Sequence, residues 1–281
     1  MSVTAEDIRS AATALQGHII RTPMLAAPML SRQLGCDLFV KLECQQYTSS
    51  FKARGAYIAM QSLNAAQRKA GVIAMSAGNH AQAVAYHAER MGIPAVIVMP
   101  AQTPFAKVAR TRAYGAKVVL EGRNLNECEG TVNTLIDERG LTLIHPYDNA
   151  LVMTGQGTVG LEMLEDEPDL DILVVPIGGG GLIGGIATIA REMRPNIKII
   201  GVQTEAYPTM QLAIAGKEIE CGGETLAEGI AVKKPGNVTR PVVAQLVDDI
   251  ILVSERQLEW AVGALVEQQR VVAEGAGAAG I

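Results

Sequence analysis

The sequence predicts an α/β protein: two domains of open, twisted, mostly parallel sheets with helices on both faces. Three observations carry that expectation. Short β-branched runs alternate with Ala/Leu/Arg-rich stretches of helical spacing, the pattern of βα units. The chain has 281 residues, where a single core stops growing and two domains become the better expectation. Hydrophobic residues make up 48% and charged residues 19%, a balance that excludes intrinsic disorder.

Strands are expected at 38–42, 72–75, 95–99, 117–120, 171–177, 198–203 and 249–253, and helices at 79–91, 124–139, 181–193 and 255–269. The near-continuous apolar run 172–177 reads as a strand buried on both faces. The turn-rich stretch His145-Pro146-Tyr147-Asp148-Asn149 is the expected crossing between lobes, with a second near 44–50. The division is then a discontinuous large domain, residues 1–47 and 148–281, with a small domain, 48–147, inserted in it.

Charge and composition narrow the partners. Twenty-four basic against 29 acidic residues give a net charge of -5. With no Lys/Arg run, nucleic acid and anionic membranes are poor partners. Aromatics, at 4%, are too few for a base-stacking platform. No apolar run approaches the roughly 18 to 20 residues of a membrane helix, and the opening residues are acidic and polar, unlike a signal peptide. Cys36, Cys44, Cys128 and Cys221 form no C-x-x-C pair, so neither a zinc site nor a disulfide scaffold is indicated and a cytoplasmic location is expected.

Three loops carry the chemistry. In the first, the strand ending at Ile177 runs into Gly178, Gly179, Gly180 and Gly181, and Leu182 follows in a helix. Glycines let backbone N–H groups approach an anion, and the helix start adds a partial positive charge, so a phosphate fits there. The bland alternative is a tight strand–helix turn. A sharper one is the dinucleotide fingerprint Gly179-x-Gly181-x-x-Gly184, with Glu205 placed to meet a ribose hydroxyl; it would make the chain a nicotinamide oxidoreductase. The second loop places Ser49, Ser50 and Phe51 before Lys52. Either serine is a candidate cap, and Lys52 then falls in a first helical turn whose field disfavours an ammonium, which suits a nucleophilic amine. A tolerated surface lysine is the other reading, and Phe51 could shield the site. The third loop, Ser76-Ala77-Gly78-Asn79-His80, offers small donors at a helix start. His80 there is either catalytic or a satisfied packing residue. His18, His87 and His145 have no metal-ligand spacing and read as structural.

In this order, Ser50-Phe51-Lys52-x-Arg54-Gly55-Ala56, Ser76-x-Gly78-Asn79-His80-Ala81-Gln82, Gly155-Gln156-Gly157-Thr158, the four glycines and Glu274-Gly275-Ala276 resemble the fold-type II (tryptophan synthase β-like) pyridoxal-phosphate enzymes, in the threonine/serine dehydratase and serine racemase branch. The resemblance implies pyridoxal 5'-phosphate as cofactor and a small β-hydroxy amino acid as substrate. It implies Lys52 as the Schiff-base lysine that also moves the Cα proton. Gly178, Gly179, Gly180, Gly181 and the Leu182 amide would cradle the phosphate. Asn79 would reach the phenolic oxygen and Phe51 would pack near the ring. Ser76, Asn79 and His80 would close on the substrate carboxylate, with Ser76 the best hydroxyl donor.

The same resemblance weighs dehydratase against racemase. Serine racemases carry a second proton donor, a serine, where this chain has Ala77, so ammonia-lyase activity on L-threonine or L-serine is expected and racemase activity is the alternative. The racemases' divalent-metal site is matched by Glu205 but not by Gln211, so no metal is expected. Arg54 and Arg112 are candidate partners for the second carboxylate of a larger substrate such as 3-hydroxyaspartate; surface arginines are the other reading. A homo-oligomer is expected. Residues up to Ile281 include no serine or cysteine for the pyridine nitrogen and no regulatory domain. The first implies weak cofactor hold and an uncovered sheet edge, the second a catabolic type.

Overall fold

Nine short strands pair into three sheets in the computed structural model, which describes residues 3–281. β1 (Met24–Ala26) and β2 (Phe39–Lys41) form an antiparallel ribbon. β3 (Val72–Met75), β4 (Ala95–Met99), β5 (Lys117–Leu120) and β6 (Thr142–Leu143) form a parallel sheet in the order β5-β4-β3-β6. β7 (Ile172–Pro176), β8 (Lys198–Thr204) and β9 (Asp249–Val253) form a second parallel sheet in sequence order. β1 and β6, at three and two residues, are too short to show a period of two in the sequence.

Helices cover both faces of the four-stranded sheet, as expected. Val72, Ala74, Ile97 and Met99 face the helices Lys52–Gln61 and Asn79–Met91, while Ile73, Val96 and Val98 face the helix Leu125–Arg139 through Cys128, Val132 and Leu135. The order reverses at β3, with β4 on one side and β6 on the other. Open α/β sheets hold ligands at such a switch point, beyond the carboxyl ends of the strands.

β7 corrects the expectation of a strand buried on both faces. Leu173 and Val175 are buried, but Ile172 and Val174 are 47% and 39% exposed. The reason is that β7 is an outer strand. The second face of its sheet is covered mainly at Val202, by Ala227, Ile230, Leu258, Ala276 and Ala279. The expected helix 255–269 is also modified: it runs Glu255–Ala264 and continues as a π-helical turn, Leu265–Gln269. Among the described residues no helix is long and apolar enough to cross a membrane.

One helix, Ala150–Asp166, organises the rest. Its Gly155 lies against Gly55 of the helix Lys52–Gln61; a Cβ there would sit 2.6 Å from the Gly55 Cα. Its Gly157 lies against Gly185 of the helix Gly181–Met193, where a Cβ at Gly185 would sit 2.6 Å from the Gly157 nitrogen. Only glycines allow two backbones this close. The helix that begins at Lys52 and the helix that follows the four glycines are thereby locked to one common axis.

Candidate active site

Lys52 opens its helix, and its Nζ donates a 2.7 Å hydrogen bond to the Pro146 carbonyl. The stem remains partly accessible from the cleft. Burial lowers the amine from 10.5 to about 8, against a smaller opposing pull from Glu274. No carboxylate lies within ion-pair distance of Nζ among the described residues. The geometry replaces the surface-lysine reading with that of a desolvated amine, more of it uncharged at neutral pH than an ordinary lysine. The Phe51 ring lies 5.3 Å from Nζ and packs on the core of the three-stranded sheet.

Neither serine caps this helix. The residue preceding it is Phe51, with no side-chain cap. Ser50 Oγ is buried without a partner, and Ser49 takes a left-handed φ of 56°. That turn delivers Phe51 already in helical conformation, so no serine oxygen meets the first amides. A left-handed non-glycine residue is strained by about 1–2 kcal/mol. Ser49→Gly is therefore expected to raise stability by about 0.5–1 kcal/mol, read as a higher urea midpoint at unchanged slope.

The loop after β3 and the loop after β6 face each other across the switch point. The helix Asn79–Met91 begins after Gly78 with no side-chain cap, and the Gly78 N–H donates to Ser76 Oγ at 3.2 Å. Asn79 Nδ2 donates to Glu274 Oε1 at 2.7 Å. His80 Nε2 lies 2.7 Å from the Ile144 carbonyl; since a carbonyl only accepts, Nε2 carries the proton. Nδ1 is then a buried acceptor without a partner, so His80 is only half satisfied by the protein.

Burial, reinforced by the Lys52 charge, lowers His80 from 6.5 to about 3. Burial likewise lowers His87 to about 4. The sign follows from linkage: below pH 6.5 the unfolded chain takes up protons that the fold refuses until pH 3–4, so stability falls as pH falls through that window. At pH 5 the loss is about 2 kcal/mol for each histidine. Urea titrations should show it, and His87→Phe, which cannot titrate, should have a shallower slope, since His80 and His145, both also lowered by burial, remain.

The four glycines lie on the other side of the Pro146–Tyr147 segment. A Cβ at Gly179 would overlap the Tyr147 ring, and one at Gly181 would lie 3.1 Å from the Tyr147 carbonyl. Gly180 has φ 92°, a conformation that favours glycine, and no side chain caps the helix Gly181–Met193 that follows. Its first amides therefore remain free to bind an anion. The Gly179 carbonyl is turned away by the Thr239 hydroxyl at 2.5 Å. Pro146 thus contacts the Lys52 amine while its neighbour Tyr147 touches the glycine turn.

Other sequence expectations fare differently. Arg54 is neither a surface residue nor a substrate ligand: it is fully buried between Glu43 and Glu162. Arg112 is exposed at the end of its helix. Glu205 is exposed just past β8. Gln211 Nε2 is committed to the Ile250 carbonyl. His145 Nδ1 accepts from the Tyr147 and Asp148 amides, His18 stacks on Tyr57, and His87 meets Tyr57 and Tyr86 edge-on. Three contributors were not singled out for a role in the sequence. The Pro146 carbonyl and the Tyr147 ring lie in a stretch that reads only as a turn. Glu274 had a motif but no partner until Asn79 was placed beside it. Its carboxyl is raised by desolvation in the cleft, against the Asn79 hydrogen bond, although the residue stays solvent-accessible.

These residues fit pyridoxal phosphate. They supply an amine with depressed basicity, a glycine cradle that a Cβ would fill, and two buried polar atoms, Ser50 Oγ and His80 Nδ1, that no protein group satisfies. The chain belongs to the pyridoxal-phosphate dependent enzymes, whose family model matches residues 15–281, and its architecture is that of fold type II. It is 44% identical over 281 residues to an L-threonine ammonia-lyase of Thermotoga maritima, covering 99% of this chain and 70% of that one. It is 44% identical to a catabolic L-threonine dehydratase of Staphylococcus aureus, over 98% of this chain and 81% of the relative. Maize serine racemase superposes with a TM-score of 0.96 at 35% identity, over 100% of this chain and 85% of that one. Family membership removes the nicotinamide reading of the glycine fingerprint.

Proposed function

We propose that the chain is an ammonia-lyase that eliminates the β-hydroxyl of L-threonine, and of L-serine, to give a 2-oxo acid and ammonia. The observation that carries this reading is the Lys52 amine, lowered to about 8 and held on the Pro146 carbonyl beside the glycine turn. When bound, pyridoxal phosphate supplies an electron sink for the carbanion at Cα. Lys52 would hold the cofactor through its amine, and as a free base that amine would take the Cα proton of the substrate. Gly178, Gly179, Gly180, Gly181 and the Leu182 amide hold the phosphate, and Phe51 excludes water from one side. Asn79, with one Nδ2 hydrogen given to Glu274, keeps the other for the phenolic oxygen. The Ser76 hydroxyl and the backbone amides of Asn79 and His80, at the uncapped start of their helix, bind and orient the substrate carboxylate. Loss of the β-hydroxyl as water leaves an unsaturated amine that hydrolyses to the 2-oxo acid and ammonia.

Ala77 favours elimination over racemisation, because a methyl group cannot return a proton to the opposite face. The reading includes the division into a large cofactor-binding domain, 1–47 and 148–281, and a small domain, 48–147. It is supported by the sheets, since β3 to β6 fall inside the second and β7 to β9 inside the first. A homo-oligomer is proposed on the resemblance alone. A cytoplasmic location is proposed on the four free cysteines. The test is a panel of β-hydroxy amino acids scored for 2-oxo acid, with chiral analysis of the serine left over. Turnover of L-threonine and L-serine without D-serine is expected; substantial D-serine would contradict the weight placed on Ala77.

A further inference from the structure

No side-chain cap orients the start of the helix Lys52–Gln61, and the strained Ser49 turn precedes it. Arg54, two residues after Lys52, points to nearly the opposite side, since two helical steps turn about 200°. Its guanidinium has no exposure and is forked twice. Nε and Nη2 reach the Glu43 carboxylate at 2.9 and 2.7 Å. Nη1 and Nη2 reach Glu162 at 2.6 and 2.8 Å, and Nη1 also reaches Thr158 Oγ1 at 3.1 Å. Lys41 Nζ lies 2.7 Å from Glu162 Oε2, and Thr22 Oγ1 donates to Glu43 at 2.5 Å.

We infer that Arg54, held by Glu43 and Glu162, is a positioning residue that sets the rotation of this helix and with it the direction of the Lys52 amine. The inference rests on the reading of Lys52 as the Schiff-base lysine. Glu43 follows β2, and Glu162 lies on the same face of the helix Ala150–Asp166 as Gly155 and Thr158, so Arg54 is gripped from two separate elements. The Gly55–Gly155 contact fixes how deeply the helix sits, and the two forks fix its angle. Two carboxylates are balanced by Arg54 and Lys41 on the far side, so neither is left to pair with the Lys52 ammonium. A buried ion cluster is weak evidence of stability but well suited to fixing register. A lysine at 54 would keep the charge and lose both forks.

The test uses the enzyme loaded with pyridoxal phosphate and compares Arg54→Lys with Arg191→Lys. Arg191 ties the far end of the helix Gly181–Met193 to Leu246, Ile197 and Asp248 and serves as a control for purely structural loss. For Arg54→Lys, kcat on L-threonine should fall about 10- to 100-fold, as a displacement near 1 Å produces, while KM changes less than about threefold. The pH midpoint of the visible Schiff-base absorption should move as well. Arg191→Lys should lower the melting temperature and leave kcat and that midpoint in place. If Arg54→Lys does not fold, Glu162→Gln, which leaves Arg54 its Glu43 fork, should give a smaller shift of the same kind. Variants at 54 or 162 that lower only the melting temperature would overturn the inference. If borohydride fixes the cofactor of the unaltered enzyme at a residue other than Lys52, the reading beneath it fails instead.

Discussion

Replacing Lys52 by alanine is expected to reduce release of 2-oxo acid from L-threonine by on the order of 1,000-fold or more, because one amine both holds the cofactor and moves the Cα proton. The fold should not suffer. The amine lies below its ordinary value, so between about pH 8 and 10.5 the unfolded chain binds a proton that the fold has shed. Stability therefore rises with pH through that window, and below it the ammonium is held at a cost. Removing it is expected to leave the melting temperature of the cofactor-free protein near pH 7 equal or slightly higher. Loss of activity with an intact or improved melt is the pattern of a residue kept for function rather than for the fold. The measurement is a pair: 2-oxo acid release, and thermal unfolding at pH 7.

Gly179→Ala is expected to have the second largest effect. The added methyl would overlap the Tyr147 ring, which has nowhere simple to go. Its hydroxyl donates to the Lys234 carbonyl at 2.9 Å, and its ring meets His145 edge-on at 4.7 Å. Displacing Tyr147 also disturbs the Pro146 carbonyl that holds Lys52, so the phosphate cradle and the amine move together. Overpacking of this kind costs about 1–3 kcal/mol in stability, and cofactor affinity should fall by about 100-fold or more, which corresponds to about 2.7 kcal/mol. Gly263→Ala is the matched control. Gly263 lies within the helix Glu255–Ala264 with nothing within 4 Å of an added Cβ, so the change should stabilise by about 0.5–1 kcal/mol and leave cofactor binding untouched. Equilibrium titration with pyridoxal phosphate distinguishes the two.

Most of the parallel framework was legible because its strands are short β-branched runs set between stretches of helical spacing. Val72–Met75, Ala95–Met99, Lys117–Leu120 and Asp249–Val253 stand at the bounds their sequences suggested. The three loops at strand ends were legible for a different reason, since a run of glycines or a lysine at a helix start violates ordinary preference and signals function. What stayed hidden depends on partners distant in sequence. Arg54 is indistinguishable from a surface arginine until Glu43 and Glu162 arrive from two other elements. Asn79 and Glu274 are 195 positions apart. Ser49 and Ser50 have the chemistry of caps, but the left-handed turn at 49 denies them the geometry. The apolar run 172–177 could not reveal that one face of β7 lies open, because periodicity is lost when polar residues are absent from both faces.

The central claim is that the amine of residue 52 is the group that captures the cofactor. Reduction of the purified yellow protein with borohydride, followed by mass analysis of its peptides, tests this most directly. The account predicts loss of the colour and a single pyridoxyl adduct on Lys52. An adduct on any other lysine, or full activity with no adduct at all, would contradict it.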